Sequence, residues 1–83
     1  MSVEKFYVQI DRTDGSRNYK GPWTREHSQR EADAWSDSFP GYGVSLVWAS
    51  DDLVRRDVRA WQRHVNHSQE PYFPVGERGE VVR

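Results

Sequence analysis

The stretch Phe6-Tyr7-Val8-Gln9-Ile10 alternates bulky apolar with more polar residues, and Asp14-Gly15 comes four residues later. This combination constrains the chain more than any other feature. Strict alternation describes a half-buried strand, and Asp-Gly is the favoured pair for a two-residue hairpin loop, which needs left-handed backbone at both positions. With Asp14-Gly15 as the loop, Thr13 faces Ser16 and Ile10 faces Tyr19. Tyr19 then joins Phe6, Val8 and Ile10 on the apolar side. The returning strand, about Arg17 to Lys20, is short and polar, as suits a sheet edge. The chain therefore starts as a sheet, and its remaining residues must cover that sheet.

Gly21-Pro22-Trp23 breaks the second strand, and Thr24 is a good N-cap with Glu26 in the first turn beyond it. A helix is expected over Arg25 to Ser38, with Ser28, Ala32, Trp35 and Phe39 as its buried stripe. Phe39-Pro40-Gly41-Tyr42-Gly43 ends it in an aromatic loop. Val44 to Ala49 forms the third strand, with Val44, Leu46 and Trp48 on one face and Ser45, Val47 and Ala49 on the other. Ser50 or Asp51 then caps a second helix, about Asp52 to Asn66, in which Val54, Val58, Trp61 and Val65 line one face. Past His67 the pattern decays, and Pro71 and Pro74 exclude helix. Tyr72, Phe73 and Val75 could pack back on the domain, Gly76-Glu77-Arg78-Gly79 could turn the chain into Val81-Val82, and a free tail is the alternative.

The expected fold is α+β, in the order β-β-α-β-α. A right-handed crossover through the first helix brings the third strand back parallel to the second. The simplest sheet then has strand order 2-1-3 with both helices packed on one face. The expected core is Phe6, Val8, Ile10, Tyr19, Trp35, Leu46, Trp48, Val54, Val58 and Trp61. Residues 1–68 make one compact domain and 69–83 a C-terminal extension. The chain has 83 residues, of which only 35% are hydrophobic, so a single small core must rest on its aromatics.

Several function classes fall away. The sequence has no cysteine, which removes disulfides, thiolate zinc sites and cysteine nucleophiles. Its net charge is −1, so no bulk cationic character draws it to nucleic acid or anionic lipid. The first residues carry Glu4 and Lys5 and no long apolar run, so no membrane segment is expected and the expected location is cytoplasmic. No serine, histidine and acid spacing suggests a triad, no carboxylate pair suggests acid–base work, and no cofactor is implied.

Four groups of residues remain as candidates. With both helices on one side, Lys5, Tyr7, Gln9, Ser45, Val47 and Ala49 would face outward with Asn18 and Lys20. That open face, centred on Tyr7 and Val47, could hold a protein partner or a second copy; a merely solvated face is the alternative. Arg55, Arg56, Arg59 and Arg63 lie opposite the apolar stripe of the second helix and could contact phosphates or an acidic partner, although any amphipathic helix needs a polar side. Trp23 and Tyr42 flank the first helix as aromatic anchors for a partner, or as staples of the helix ends. His64 and His67, with Glu70, have the types for a metal site, but the helix is ending and no metalloprotease pattern is present. Two histidines near a helix C-terminus also suit its dipole.

The stretch YVQIDRTDGSRNYKGPWTREHSQREADAWSDSFPGYGVSLV resembles small accessory proteins of GC-rich actinobacteria and their phages. There a strand hairpin leads to GPWT or similar, then to an alanine- and tryptophan-bearing helix, then to a strand. Arginine exceeds lysine ten to two and valine exceeds isoleucine ten to one, a skew that fits such genomes. The resemblance covers about half the chain and implies a compact accessory protein without supplying any catalytic residue. The expected function is a non-enzymatic interaction module that binds and modulates a protein partner and can form a homodimer. The alternative is nucleic-acid binding through Arg55, Arg56, Arg59 and Arg63.

Overall fold

A computed structural model describes residues 4–74 of the chain. The elements are β1 (Phe6–Asp11), β2 (Arg17–Trp23), α1 (Arg25–Ser38), β3 (Gly43–Trp48) and α2 (Asp52–His67). They form a three-stranded antiparallel sheet in the order β2-β1-β3. The α+β class, the element order and the strand order are those expected from the sequence. So are the helix starts: the Thr24 side chain accepts from His27 N, and Asp51 accepts from Leu53 N and Val54 N. The expected turn into Val81-Val82, and the placing of Val75, lie outside the described residues.

The hairpin register differs from the expectation by one residue. Gln9 pairs with Tyr19, Ile10 with Asn18 and Asp11 with Arg17. The loop holds three residues, Thr13-Asp14-Gly15, closed by Gly15 N to Arg12 O at 3.1 Å and by Arg12 N to Ser16 O at 2.8 Å. Only Gly15 has positive φ there, at 89°. A type I turn followed by one left-handed glycine is the common three-residue hairpin loop. Asp14 therefore keeps ordinary backbone and turns its carboxylate to Ser16, accepting from Ser16 N at 2.8 Å and from Ser16 Oγ at 2.6 Å. These bonds to Ser16, side chain first and backbone second, hold the Asp14 carboxyl below its usual range.

A one-residue slip moves a side chain to the other face of a sheet. Tyr19 shares the face of Tyr7 and Gln9 rather than that of Ile10, with the Tyr7 and Tyr19 rings 5.9 Å apart. Asn18 and Lys20 lie on the opposite face, where Lys20 Nζ sits 5.8 Å over the Trp35 ring. A bulge restores the phase further along: Phe6 pairs with Trp23 while Val8 pairs with Lys20, so β2 carries one extra residue between them. Gly21 takes φ 122° within this bulge, and a Cβ there would meet the Phe6 carbonyl oxygen at 2.9 Å. The bulge returns Trp23 to the Val8 face, where it packs on the core and stacks on His27 at 4.3 Å.

The helices consequently sit on opposite faces, which corrects the expectation of both on one side. α1 covers the face of Val8 and Ile10: Ala32 is buried against them, with Trp35, Tyr42, Val44 and Leu46 around it. Ser28 is fully buried and donates to the Phe6 carbonyl at 3.4 Å. α2 covers the Tyr19 side of the other face, where the Tyr19 and Trp61 rings meet edge to face at 5.8 Å. The buried apolar residues are Phe6, Val8, Ile10, Tyr19, Ala32 and Val58. Trp48, expected in the core, is 45% exposed although its ring lies 4.7 Å from Phe6. It lies at the end of β3, an edge strand of the sheet.

Candidate interaction surfaces

The expected platform around Tyr7 and Val47 is largely occupied. Tyr7 and Val47 pair directly across β1 and β3 and are both half-buried. Gln9 is half-buried as well, with its Oε1 3.2 Å from the Tyr19 hydroxyl and its Nε2 donating to Asp11 at 3.3 Å. Lys5 is exposed at the margin, and its backbone carbonyl accepts from Ala49 N at 3.0 Å. Of this set, only Ser45 and Lys5 remain fully open.

α2 is held there by a polar cluster centred on Asp57. Its carboxylate accepts from the Tyr19 hydroxyl, from the Tyr72 hydroxyl at 2.7 Å and from Arg17 Nη1 at 3.1 Å. Arg17 Nε also donates to Asp11 at 2.6 Å. Three elements meet at this carboxylate, β2 through Arg17 and Tyr19, α2 itself and the segment after α2 through Tyr72, and Arg17 ties in a fourth, β1, through Asp11. Burial disfavours the Arg17 charge, but its bonds to Asp11 and Asp57 outweigh this and raise its pKa further. Burial first, and then the bond to Asp57, raises both phenols: Tyr72 to about 12, and Tyr19 beyond that. The cluster is saturated, since among the described residues no buried side-chain polar atom lacks a partner. Its chemistry is that of a clamp.

The segment after α2 docks on the β2 edge. Arg17 N donates to the Tyr72 carbonyl at 2.8 Å, and Pro74 is buried. His64 approaches from α2, with Nε2 2.9 Å from the Glu70 carbonyl and its ring 5.7 Å from that of Tyr72. A carbonyl only accepts, so His64 carries its proton on Nε2 in this contact. Glu70 meets His64 through its backbone, His67 is exposed, and no group of three potential ligands gathers among the described residues. His64 and the Glu70 backbone therefore shape the turn after α2, and His67 stands exposed in the last turn of the helix.

The two flanking aromatics are in part absorbed by packing. Trp23 is half-buried against His27 at the start of α1. Tyr42 stacks on Phe39 at 4.8 Å, and Phe39 stacks on Trp35 at 5.1 Å. This ladder closes the C-terminal end of α1, yet leaves Phe39 42% exposed.

The arginine row is the candidate surface that stays open. Arg55, Arg56, Arg59 and Arg63 are all exposed on the side of α2 away from the sheet. Arg55 pairs with Asp52 at 2.6 Å. Among the described residues no carboxylate lies within 4.0 Å of Arg56, Arg59 or Arg63. Sequence reasoning found this row and allowed Tyr72 to pack back, but missed the cluster that Asp57 forms with Arg17, Asp11, Tyr19 and Tyr72. The available signal was a lone carboxylate, Asp57, beside Val58 at the margin of the apolar stripe. Comparison of the chain with protein-family models, with curated proteins and with solved structures finds no match.

Proposed function

We propose that the chain is a non-enzymatic interaction module that docks the outer face of α2 on an acidic surface of a protein partner. One observation carries this: three guanidinium groups stand exposed and, among the described residues, without ion pairs on a helix that a four-element clamp fixes to the sheet. Arginine forks recognise carboxylates in paired geometry, and a rigid helix loses little freedom when it docks. The resemblance to small accessory proteins supports a setting in a phage or its actinobacterial host. A cytoplasmic location belongs to the same reading, and no helix among the described residues is long and apolar enough to cross a membrane.

Nucleic-acid binding through the same row is the second reading, favoured by a helix of 16 residues whose free side is basic, since such a helix fits the major groove. The two are separated by capture from nuclease-treated extract with the wild type and with the combined Arg56→Glu, Arg59→Glu and Arg63→Glu variant. An acidic protein bound by the first and lost by the second supports protein docking. Equal capture by both removes α2 as the contact. Binding only to a labelled duplex, weakening steeply with salt, replaces the protein reading with the nucleic-acid one.

A further inference from the structure

The sheet has two edges, and they differ in kind. The β2 edge is blunted in the ways that keep edges from pairing: it carries Arg17 and Lys20, it is bulged at Gly21-Pro22, and the outward Arg17 amide is already taken by Tyr72. The β3 edge has none of these devices. Its sequence GVSLVW contains no charge and no proline, and its pairing with β1 runs without a bulge.

The hydrogen-bonding phase of β3 can be read from the flanking bonds. Arg12 bonds across to Ser16 of the hairpin, so even-numbered β1 residues bond to β2 and odd-numbered ones to β3. Ala49 N donating to Lys5 O fits this phase. Val44, Leu46 and Trp48 therefore turn their backbone N–H and C=O outward. Of these groups only the Trp48 carbonyl is engaged, by Asp51 N at 3.2 Å, among the described residues.

We propose that a second copy of the chain pairs with β3 along this edge, antiparallel, with the twofold axis at Leu46. In that register Leu46 faces Leu46 of the second copy, and Val44 faces Trp48. The outward groups of the two strands face one another, giving about four ladder bonds between unengaged groups and one more at each Trp48 carbonyl, whose second lone pair is left by Asp51 N. Self-complementarity is what selects a second copy over another strand. On the α1 side of the sheet every cross-strand pair is apolar, and on the other side Ser45 meets Val47. No charge opposes another anywhere along the seam. The pairing lays the exposed Trp48 ring beside Val44 of the second copy, next to the Tyr42–Phe39 ladder, so two of the exposed large apolar side chains gather at each end of the seam. The result is a six-stranded sheet with both α2 helices on one side. This pairing is independent of what α2 binds.

The test is the solution mass of the full chain by light scattering across a concentration series. The wild type should reach twice its 9.8 kDa, and Ser45→Lys, an exposed position at the centre of the edge, should stay at single mass with an unchanged circular dichroism spectrum. Because the chain has no cysteine, Leu46→Cys gives a second readout: mild oxidation should link two copies across the axis, while Ser36→Cys on α1 should not link. A wild type that stays monomeric at millimolar concentration overturns the proposal. So does a dimer that survives Ser45→Lys or fails to link through Leu46→Cys, because the copies, or another strand on this edge, then meet differently.

Discussion

Asp57→Ala removes the acceptor at which two phenols and a guanidinium converge, and its cost can be worked from the geometry. The Asp57 and Arg17 side chains are 20% and 25% exposed, and Tyr19 is 2% exposed. A hydrogen bond to a charged group contributes about 1.5–3 kcal/mol, and stripping one partner from a buried ion pair costs about 3–5 kcal/mol. The residual exposure places this cluster at the lower end, so a loss of about 3 kcal/mol is expected, because water reaches Arg17 and Tyr72 once the carboxylate has gone. A chain of this length has roughly 4–12 kcal/mol in total. Each kcal/mol shifts the melting midpoint of so small a domain by about 4–8 °C, so the variant should melt roughly 12–24 °C lower. Urea unfolding followed by tryptophan fluorescence measures this directly, since Trp61 lies against Tyr19. A double-mutant cycle isolates the cluster: Tyr72→Phe should cost about 1 kcal/mol in the wild type and under about 0.5 kcal/mol in Asp57→Ala. An Asp57→Ala loss below about 1 kcal/mol, or a Tyr72→Phe cost equal in both backgrounds, would refute the clamp.

Alkaline pH should act through the same phenols. The unfolded chain releases the Tyr72 proton near pH 10, whereas the folded chain holds it to about 12. Stability from this group is therefore complete below about pH 10 and declines as pH rises toward 12; urea midpoints should show that decline, and Tyr72→Phe should make it shallower. Gly21→Ala should destabilise by about 1–3 kcal/mol, because φ is left-handed and the new Cβ meets the Phe6 carbonyl. Gly43→Ala is its control: the nearest atom to its Cβ would be Asp11 Cβ at 3.6 Å, an ordinary contact, so thermal melts should place it within about 0.5 kcal/mol of wild type. Asp51→Ala removes the acceptor for two amides at the start of α2 and should cost about 1 kcal/mol by the same melts.

The helices and their starts were legible because capping chemistry is local: Thr24 and Asp51 act on residues two or three positions away. The strand order was legible because short connections and crossover handedness leave few alternatives. Sidedness was not. Asp14-Gly15 has the composition of a two-residue loop, but the loop takes in Thr13 as well, and that added residue moves Tyr19 to the other face. Tyr19 then offers α2 an aromatic seat on the side that alternation alone marks as solvent-facing. The stripe Val54, Val58, Trp61, Val65 fits either face equally well, so nothing within α2 distinguishes the two. Among the surfaces, the arginine row was visible because one helix carries it entirely. The Asp57 cluster was not, because its members come from four elements that only the right register brings together.

The enclosure of β1 has a kinetic consequence. Its hairpin partner is close in sequence, so one side of the strand can zip up as soon as the turn forms. Its other side must wait for β3, from Gly43 opposite Asp11 to Trp48 opposite Phe6, and that pairing closes only after α1 and its flanking loops have been traversed. Folding speed should therefore be limited by this long-range closure rather than by the turn. Until it happens, the most deeply buried strand of the finished fold offers a bare flank to any strand nearby, including the β3 of a neighbouring molecule.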